Sequence, residues 1–279
     1  MIQQNTPIQD FEIGNYLVKV KREDLCVSEG SDWPPFAKIR GLHAHMSKLK
    51  QAGIEVVGYP QNQISMAGWG MAAVANAMSM KAVIFYHDYV KGLPERLAYH
   101  KEKWLALRAE DVPVEVTRNN IISYRGSSIL RERYKGKAVM LPLGLKFPET
   151  VVEVAKQAKL SDLQSFKSIV VCVGSGMMCS GILRALPKGI RLYGIMVKRV
   201  EASKLLEMKG EIIRNAGPGC LLSNFVLINS GYHYEQAARC ACPFPCHPIY
   251  DLKAWEWLSK NIEKLEPPIL FWNVGGDSN

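Results

Sequence analysis

Ser168–Leu186, SIVVCVGSGMMCSGILRAL, decides how this chain is read. Ile169, Val170, Val171 and Val173 are β-branched within one apolar run, as a strand buried on both faces requires. Gly174, Ser175 and Gly176 then permit a tight turn, and the segment that follows has helical apolar spacing. A strand that turns so sharply into a helix aims unpaired backbone N–H groups outward. The positive end of the helix dipole favours a dianion there. The stretch therefore predicts a phosphate seat, with the Ser175 and Ser180 hydroxyls as further donors and Gly181 letting the helix pack closely on its strand. A purely structural turn is the alternative. The glycines fall at 174, 176 and 181 with no Lys-Ser/Thr after them, so neither Walker nor Rossmann spacing fits.

The rest of the chain is long and apolar enough to support such a unit. Its 279 residues are 48% hydrophobic, which excludes disorder and allows one large domain or two modest ones. Apolar runs are interrupted well short of a membrane span, and MIQQNTPIQDFEIG lacks the basic and apolar regions of a leader. The expectation is a cytoplasmic protein with no membrane partner. Seven cysteines, odd in number and scattered, do not resemble a secreted disulfide framework. Cys240, Cys242 and Cys246 beside His247 are too compressed for a zinc knuckle, so no metal is expected and they read as small side chains near a loop. A formal charge of +9 attracts anions, including phosphorylated small molecules and nucleic acid. In KVKRED, KEKWLALRAED and RERYKGK, basic residues are mixed with acids, so an ordinary solvated surface is the simplest reading and a nucleic-acid footprint the other.

Upstream, YLVKVK (16–21) alternates as a strand. In PFAKIRGLHAHMSKLKQAG, Ile39, Leu42, Met46 and Leu49 recur at helical spacing, with Gly53 as the stop and Lys38 in the first turn. Strand IEVVGYP, the alanine-rich helix after QNQIS, strand KAVIFYH, a helix over Leu93–Ala109 and strand VPVEVT give a βαβαβ alternation. A helix over 121–134, strand AVMLPLG and helix TVVEVAKQAKL lead into the opening stretch. Strand IRLYGIMV, a helix closed by Gly217, helix LKAWEWLSKNIEKL and strand ILFWNVGG complete the chain, the last ending in glycines where ligands of parallel sheets gather.

Four collinear segments carry a resemblance: KRED with FAKIRGL, VVCVGSGMMCSG, HPIYDLK and ILFWNVGG. Together they resemble the pyridoxal-phosphate enzymes of fold type II (tryptophan synthase beta-like), nearest the branch of 1-aminocyclopropane-1-carboxylate deaminase and D-cysteine desulfhydrase. The resemblance implies an α/β fold of two parallel-sheet domains, with 1–50 and 118–279 forming the large cofactor-binding domain and 51–117 a small inserted one. It implies pyridoxal 5'-phosphate as cofactor, a homodimer and a small-molecule amine substrate.

Residue by residue, Lys38 matches the lysine that holds the cofactor as a Schiff base, a role needing an amine that can become neutral near pH 7; a solvated lysine at a helix start is the plainer reading. Gly174, Ser175, Gly176, Met177, Met178, Cys179 and Ser180 match the phosphate cup, the two methionines standing where relatives carry small residues. Tyr250 and Asp251 match a tyrosine beside the acid that pairs with the pyridine nitrogen and strengthens the ring as an electron sink, although Asp251 would also serve as a helix cap. Asn273 matches an element beside the ring. Tyr232 and Tyr234 match a tyrosine-bearing loop, as acid, base or packing. The family's asparagine-bearing turn for the substrate carboxylate is replaced by QNQISMAGWGMAA, leaving Asn62 or Ser65 to serve and Trp69 to pack on the ring or in the core.

The expected function is a lyase or deaminase acting on an amino acid or similar amine through Lys38 and a carbanion. The altered carboxylate turn and the positive charge support an alternative, a decarboxylase or lyase acting on an aminoacyl group borne by a larger molecule such as a modified nucleic-acid base. A second alternative is an inactive homologue that binds anions or nucleic acid.

Overall fold

A computed structural model describes residues 2–116, 118–220 and 222–276. In chain order the elements are β1 (Ile8–Ile13), β2 (Tyr16–Arg22), α1 (Ile39–Gln51), β3 (Val56–Gln61), α2 (Ala67–Ala77), β4 (Lys81–His87), α3 (Glu95–Ala106), β5 (Glu110–Val114), α4 (Asn119–Tyr134), β6 (Ala138–Met140), α5 (Pro148–Leu160), β7 (Ser168–Val173), α6 (Met177–Arg184), β8 (Arg191–Met196), α7 (Ala202–Ala216), β9 (Phe225–Asn229), α8 (Asp251–Asn261) and β10 (Ile269–Asn273). Short 3₁₀ turns lie between some of them. The chain forms two compact units, one of Met1–Glu29, Pro35–Lys38 and Pro148–Asn279, the other of Gly30–Pro34 and Ile39–Phe147.

The first unit is built on a six-stranded sheet of order β1-β2-β10-β7-β8-β9. Every pair is parallel except β1 with β2. All six residues of β7 are buried, and the period of two sorts them by face. Ile169, Val171 and Val173 join Met178, Ile182 and Ile212 on one side, while Val170 and Cys172 join Ala254, Trp255 and Leu258 of α8 on the other. Each such side chain contributes roughly 1.5–3 kcal/mol on burial, so the two-sided strand is the anchor of the unit. A Cβ at Gly181 would lie 2.4 Å from Val154 Cβ and 2.9 Å from the Val151 carbonyl. Gly181 thus allows α6 to close on α5, and not on its own strand as the sequence predicts.

In the second unit a four-stranded parallel sheet has the order β5-β4-β3-β6. Val56, Val83, Phe85 and Val114 pack with Ile122 and Leu130 of α4. Both α4 and β6 pair or pack with β3, and α1 packs on α2. These contacts gather 39–50 and 118–147 with the expected inserted segment 51–117, giving a larger unit than the alternation alone marks out.

Two strands escape the sequence reading. β1 is an edge strand with irregular burial, so it lacks a clean alternation, and β9 is a five-residue edge strand paired with β8. The strand read as VPVEVT lies earlier, at Glu110–Val114, because pairing with β4 runs from Val83↔Glu110 to His87↔Val114. Its last predicted residue, Thr117, lies outside the described residues. The third helix begins only at Glu95, since Pro94 is extended at its N-cap.

Candidate active site

The first unit brings the glycine turn, Lys38 and Asp251 to the carboxyl end of β7. Gly176, at φ +84°, turns the chain into α6, and a Cβ there would lie 2.8 Å from Ile212 Cγ1. Glycine is required on both counts. The first helical bond runs from the Ser180 N–H to the Gly176 carbonyl at 2.9 Å, so the amides of Met177, Met178 and Cys179 precede it at the positive helix end. The side chains of Met177, Met178 and Cys179 are buried, and the Ser180 hydroxyl donates to the Gly176 carbonyl at 2.9 Å. What this turn offers an anion is therefore backbone N–H and the Ser175 side chain.

Lys38 stands in the turn before α1, and its Nζ donates to Ser175 Oγ at 2.8 Å. Its segment is fixed by the C-terminal strand: Ala37 N–H donates to the Val274 carbonyl at 2.8 Å, and Gly276 N–H to the Pro35 carbonyl at 3.0 Å. Packing at Gly275 admits no larger residue, since a Cβ would lie 2.9 Å from the Pro35 oxygen.

Asp251 opens α8 and is 1% exposed. Its Oδ1 accepts the Val274 N–H at 2.7 Å and the Cys172 thiol at 3.4 Å. Burial pushes its carboxyl up to about 7, against the pull of these donors, and Asp24 adds to the rise. Burial and then Asp251 push the Cys172 thiol well up, while Lys38 opposes them, so the amine and the carboxylate both act on the end of β7. Asn273 is fully buried. Its Nδ2 donates to Asp24 Oδ1 at 2.8 Å and to the Pro245 carbonyl at 2.9 Å, while its Oδ1 is buried without a hydrogen bond.

The two loop tyrosines diverge. Tyr232 hydrogen-bonds Glu256, and burial followed by that carboxylate pushes its phenol up to about 12. Tyr234 and Tyr250 share a hydrogen bond of 2.6 Å between their hydroxyls, and the Tyr250 ring would meet a Cβ on Gly174 at 3.5 Å. Tyr234, more than Tyr232, thus joins the residues of the glycine turn.

In the second unit, side-chain to backbone hydrogen bonds hold the β3–α2 turn. Asn62 Oδ1 accepts the N–H groups of Ile64 and Ser65 at 3.0 and 2.7 Å, and Ser65 Oγ accepts that of Ala67 at 3.1 Å. Gln61 Nε2 donates to the Asn62 and Ser65 carbonyls at 2.6 and 2.5 Å, and its Oε1 accepts the Gly68 N–H at 2.9 Å. Trp69 is 4% exposed; its Nε1 donates to the Asp32 carbonyl at 2.7 Å and its ring packs edge-on to Tyr99.

Three residues that sequence reasoning did not single out support the first unit's site. Cys172 donates to Asp251 from a strand position that reads simply as apolar. Asp24 is buried, paired with Arg22 at 2.6 Å and bonded to Asn273. Lys253 is 1% exposed and donates to the carbonyls of Val197, His233 and Tyr234 at 2.7, 3.1 and 2.9 Å. Burial holds its amine down at about 8. Its only sequence signal is a lysine on the inward face of an amphipathic helix. Among the described residues, no group of three His, Cys, Asp or Glu side chains is placed to hold a metal ion, all seven cysteines are free, and no helix is long and apolar enough to cross a membrane.

An amine, an anion seat and a dry carboxylate lie within one unit, so that Lys38 could take the aldehyde of a pyridoxal phosphate, the 174–179 turn its phosphate and Asp251 its ring nitrogen. No family model matches the chain. It is 33% identical over 284 residues, 99% of this chain and 100% of the relative, to a glycyl-dTMP PLP-dependent decarboxylase of Pseudomonas phage M6. Among solved structures, an ACC deaminase homologue has a TM-score of 0.79 at 22% identity, covering 99% of this chain and 91% of its own. Threonine deaminase isoform 2 of Solanum lycopersicum gives 0.68 at 13% identity, over 100% and 80% of the two chains. O-acetyl serine sulfhydrylase isoform 3 of Entamoeba histolytica gives 0.65 at 13%, over 97% and 85%.

Proposed function

Since the chain belongs to the pyridoxal-phosphate enzymes of fold type II, we propose that it is a decarboxylase of an aminoacyl group carried on a nucleotide or a nucleic-acid base. The observation that carries this reading is the full-length likeness to the phage M6 glycyl-dTMP decarboxylase.

When bound, the cofactor supplies an aldehyde and a ring that draws electrons from the bond to be broken. The chain's residues do the rest. The α6 N-terminus and Ser175 hold the phosphate, and the Ser175 hydroxyl orients the Lys38 amine that would carry the group. Asp251, whose burial raises its cost of ionising alone, becomes a carboxylate against a protonated ring nitrogen and keeps that proton in place. Loss of carbon dioxide leaves an electron pair on the substrate carbon, which takes up one proton; Lys38 Nζ is the group assigned to deliver it. The Tyr250–Tyr234 pair orients the substrate beside the Gly174 turn, and Tyr232, committed to Glu256, has a structural part.

Reconstituted protein given a glycyl-modified thymidine nucleotide is expected to release carbon dioxide, and Lys38→Ala to release none. Borohydride reduction is expected to fix the cofactor's mass on the peptide containing Lys38. Ammonia from free D-cysteine or 1-aminocyclopropane-1-carboxylate, with no carbon dioxide from the nucleotide, would overturn the reading in favour of a deaminase.

A further inference from the structure

We propose that Asn273 is a positioning residue, which holds Lys38 and Asp251 in place together through the peptide groups that follow it. This role rests on the parts given above to those two residues. Every group involved lies in the first unit. Val274, next along the chain from Asn273, is bonded in both directions. Its N–H donates to Asp251 Oδ1 at 2.7 Å, and its carbonyl accepts the N–H of Ala37, the neighbour of Lys38, at 2.8 Å. A single residue thus joins the segment of the amine to the acid, and whatever fixes the end of β10 fixes both.

The Asn273 amide is what fixes that end. Its side chain is fully buried, and Nδ2 donates to Asp24 Oδ1 at 2.8 Å and to the Pro245 carbonyl at 2.9 Å. Both partners are acceptors, so the amide can face only one way and neither N–H is left for a cofactor ring. Each partner is itself held. Arg22 clasps Asp24, from Nε to Oδ1 at 2.9 Å and from Nη2 to Oδ2 at 2.6 Å, and Arg22 is also the register partner of Asn273 between β2 and β10. Pro245 follows Phe244, whose buried ring packs on Trp255 at 4.9 Å and on Phe271 at 6.0 Å. The amide therefore spans two rigid supports, and its bond to the carboxylate is charge-assisted. Asn273 Oδ1, by contrast, is buried with no hydrogen bond. An orphan acceptor costs stability, and packing alone would put an apolar side chain here. The two N–H groups are what the amide supplies in return. The charged and titratable groups that act on Asp251 or on its thiol partner are Asp24 with its Arg22, Cys172, Cys242, Cys246 and Lys38.

The test uses the whole apoprotein and two nuclear magnetic resonance readings: hydrogen exchange of backbone amides, and titration of the Asp251 carboxyl carbon, identified by its absence from Asp251→Asn. In Asn273→Leu the amides of Ala37 and Val274 are expected to lose protection by about tenfold or more, while those of 269–271 stay within about twofold. With the Val274 donor loosened and Asp24 no longer covered by an amide, the carboxyl midpoint, about 7 in the wild type, is expected to rise by about one pH unit. Asn273→Ser, smaller and still a donor, is the milder variant should the leucine fail to fold, and is expected to cost about threefold in protection at the same two amides. In the loaded enzyme, kcat on the glycyl-modified nucleotide is expected to fall about tenfold or more with KM within about twofold. Unchanged protection at both amides overturns the proposal. So does an equal loss along the whole of β10, the mark of a strand that is merely less stable. A midpoint that falls toward about 4, the mark of water entering a loosened core, overturns it as well. Lost protection in a protein whose wild type releases no carbon dioxide refutes the decarboxylase alone; carbon dioxide release with protection unmoved refutes the positioning role alone.

Discussion

Asp251 makes the cofactor-free protein pay for readiness, and the cost can be read as a pH dependence. The group is an acid whose folded pKa, about 7, lies above the value of about 4 in an unfolded chain. Such a group contributes stability that is complete below pH 4 and is lost as pH rises through 7, since the unfolded chain ionises freely while the folded one must charge a buried carboxyl. The amide of the variant Asp251→Asn carries no such charge and can still accept the Val274 N–H. The stability difference, variant minus wild type, should therefore climb by up to about 1.4 kcal/mol per pH unit. Between pH 5 and pH 7 it should rise by roughly 2.3 kcal/mol, the slope easing as the folded group begins to ionise. Any fixed loss from the altered hydrogen bonds cancels in that rise. In thermal unfolding of the apoprotein the gap in Tm should widen by about 4 °C over the same interval. With the cofactor bound, the sign should reverse, the variant holding pyridoxal phosphate more weakly. A gap that stays flat with pH would refute the reasoning, because it would mean that Asp251 ionises normally and is not held dry.

Two glycines, little more than one turn apart along α6, separate binding from packing. Gly176→Ala forces a positive φ on a side chain that meets Ile212 at 2.8 Å, so it should cost about 2 kcal/mol and weaken cofactor binding at least tenfold, measured by apoenzyme titration. Gly181→Ala pushes α6 off α5 at the Val151 carbonyl; an expected loss of roughly 1–3 kcal/mol in denaturant unfolding should leave cofactor affinity nearly unchanged. Lys253→Met strands three carbonyls that the ammonium satisfies and frees the loop bearing Tyr234. It should keep the cofactor, lose about 1–3 kcal/mol of stability and lower kcat to the level of Tyr234→Phe, whereas a kcat equal to wild type would remove the loop from the mechanism.

How much of this was legible in the sequence depended on whether a contact was local. The β7–α6 turn was, because β-branched residues, two glycines and helical spacing all lie within one short stretch, and the backbone they impose is the one observed. The collinear motifs pointed to Lys38 and Asp251, whose shared action on Cys172 spans more than two hundred residues of chain and is invisible in spacing. Gly181 was read as a strand contact and serves a helix contact, since a small residue announces close approach without naming the neighbour. Composition could not assign Tyr232 and Tyr234, two residues apart, to different partners. Nor could it show that Asn62 Oδ1 and Ser65 Oγ accept N–H groups of their own loop. The βαβαβ pattern located the second sheet but not its extent, because α4 and β6 join it through pairing and packing with β3.

β10 sits between β2 and β7 at the middle of its sheet, and the residues just after it tether the segment carrying Lys38. During synthesis, then, the lysine waits for Val274 and Gly276, which are made long after it. A ribosome-bound chain lacking them would have β2 and β7 without the strand that joins them, and no fixed place for the amine. Cofactor capture should accordingly be a late, all-or-none event, and a nascent chain stalled before residue 269 should be handled by the cell as unfolded protein, however complete its second unit.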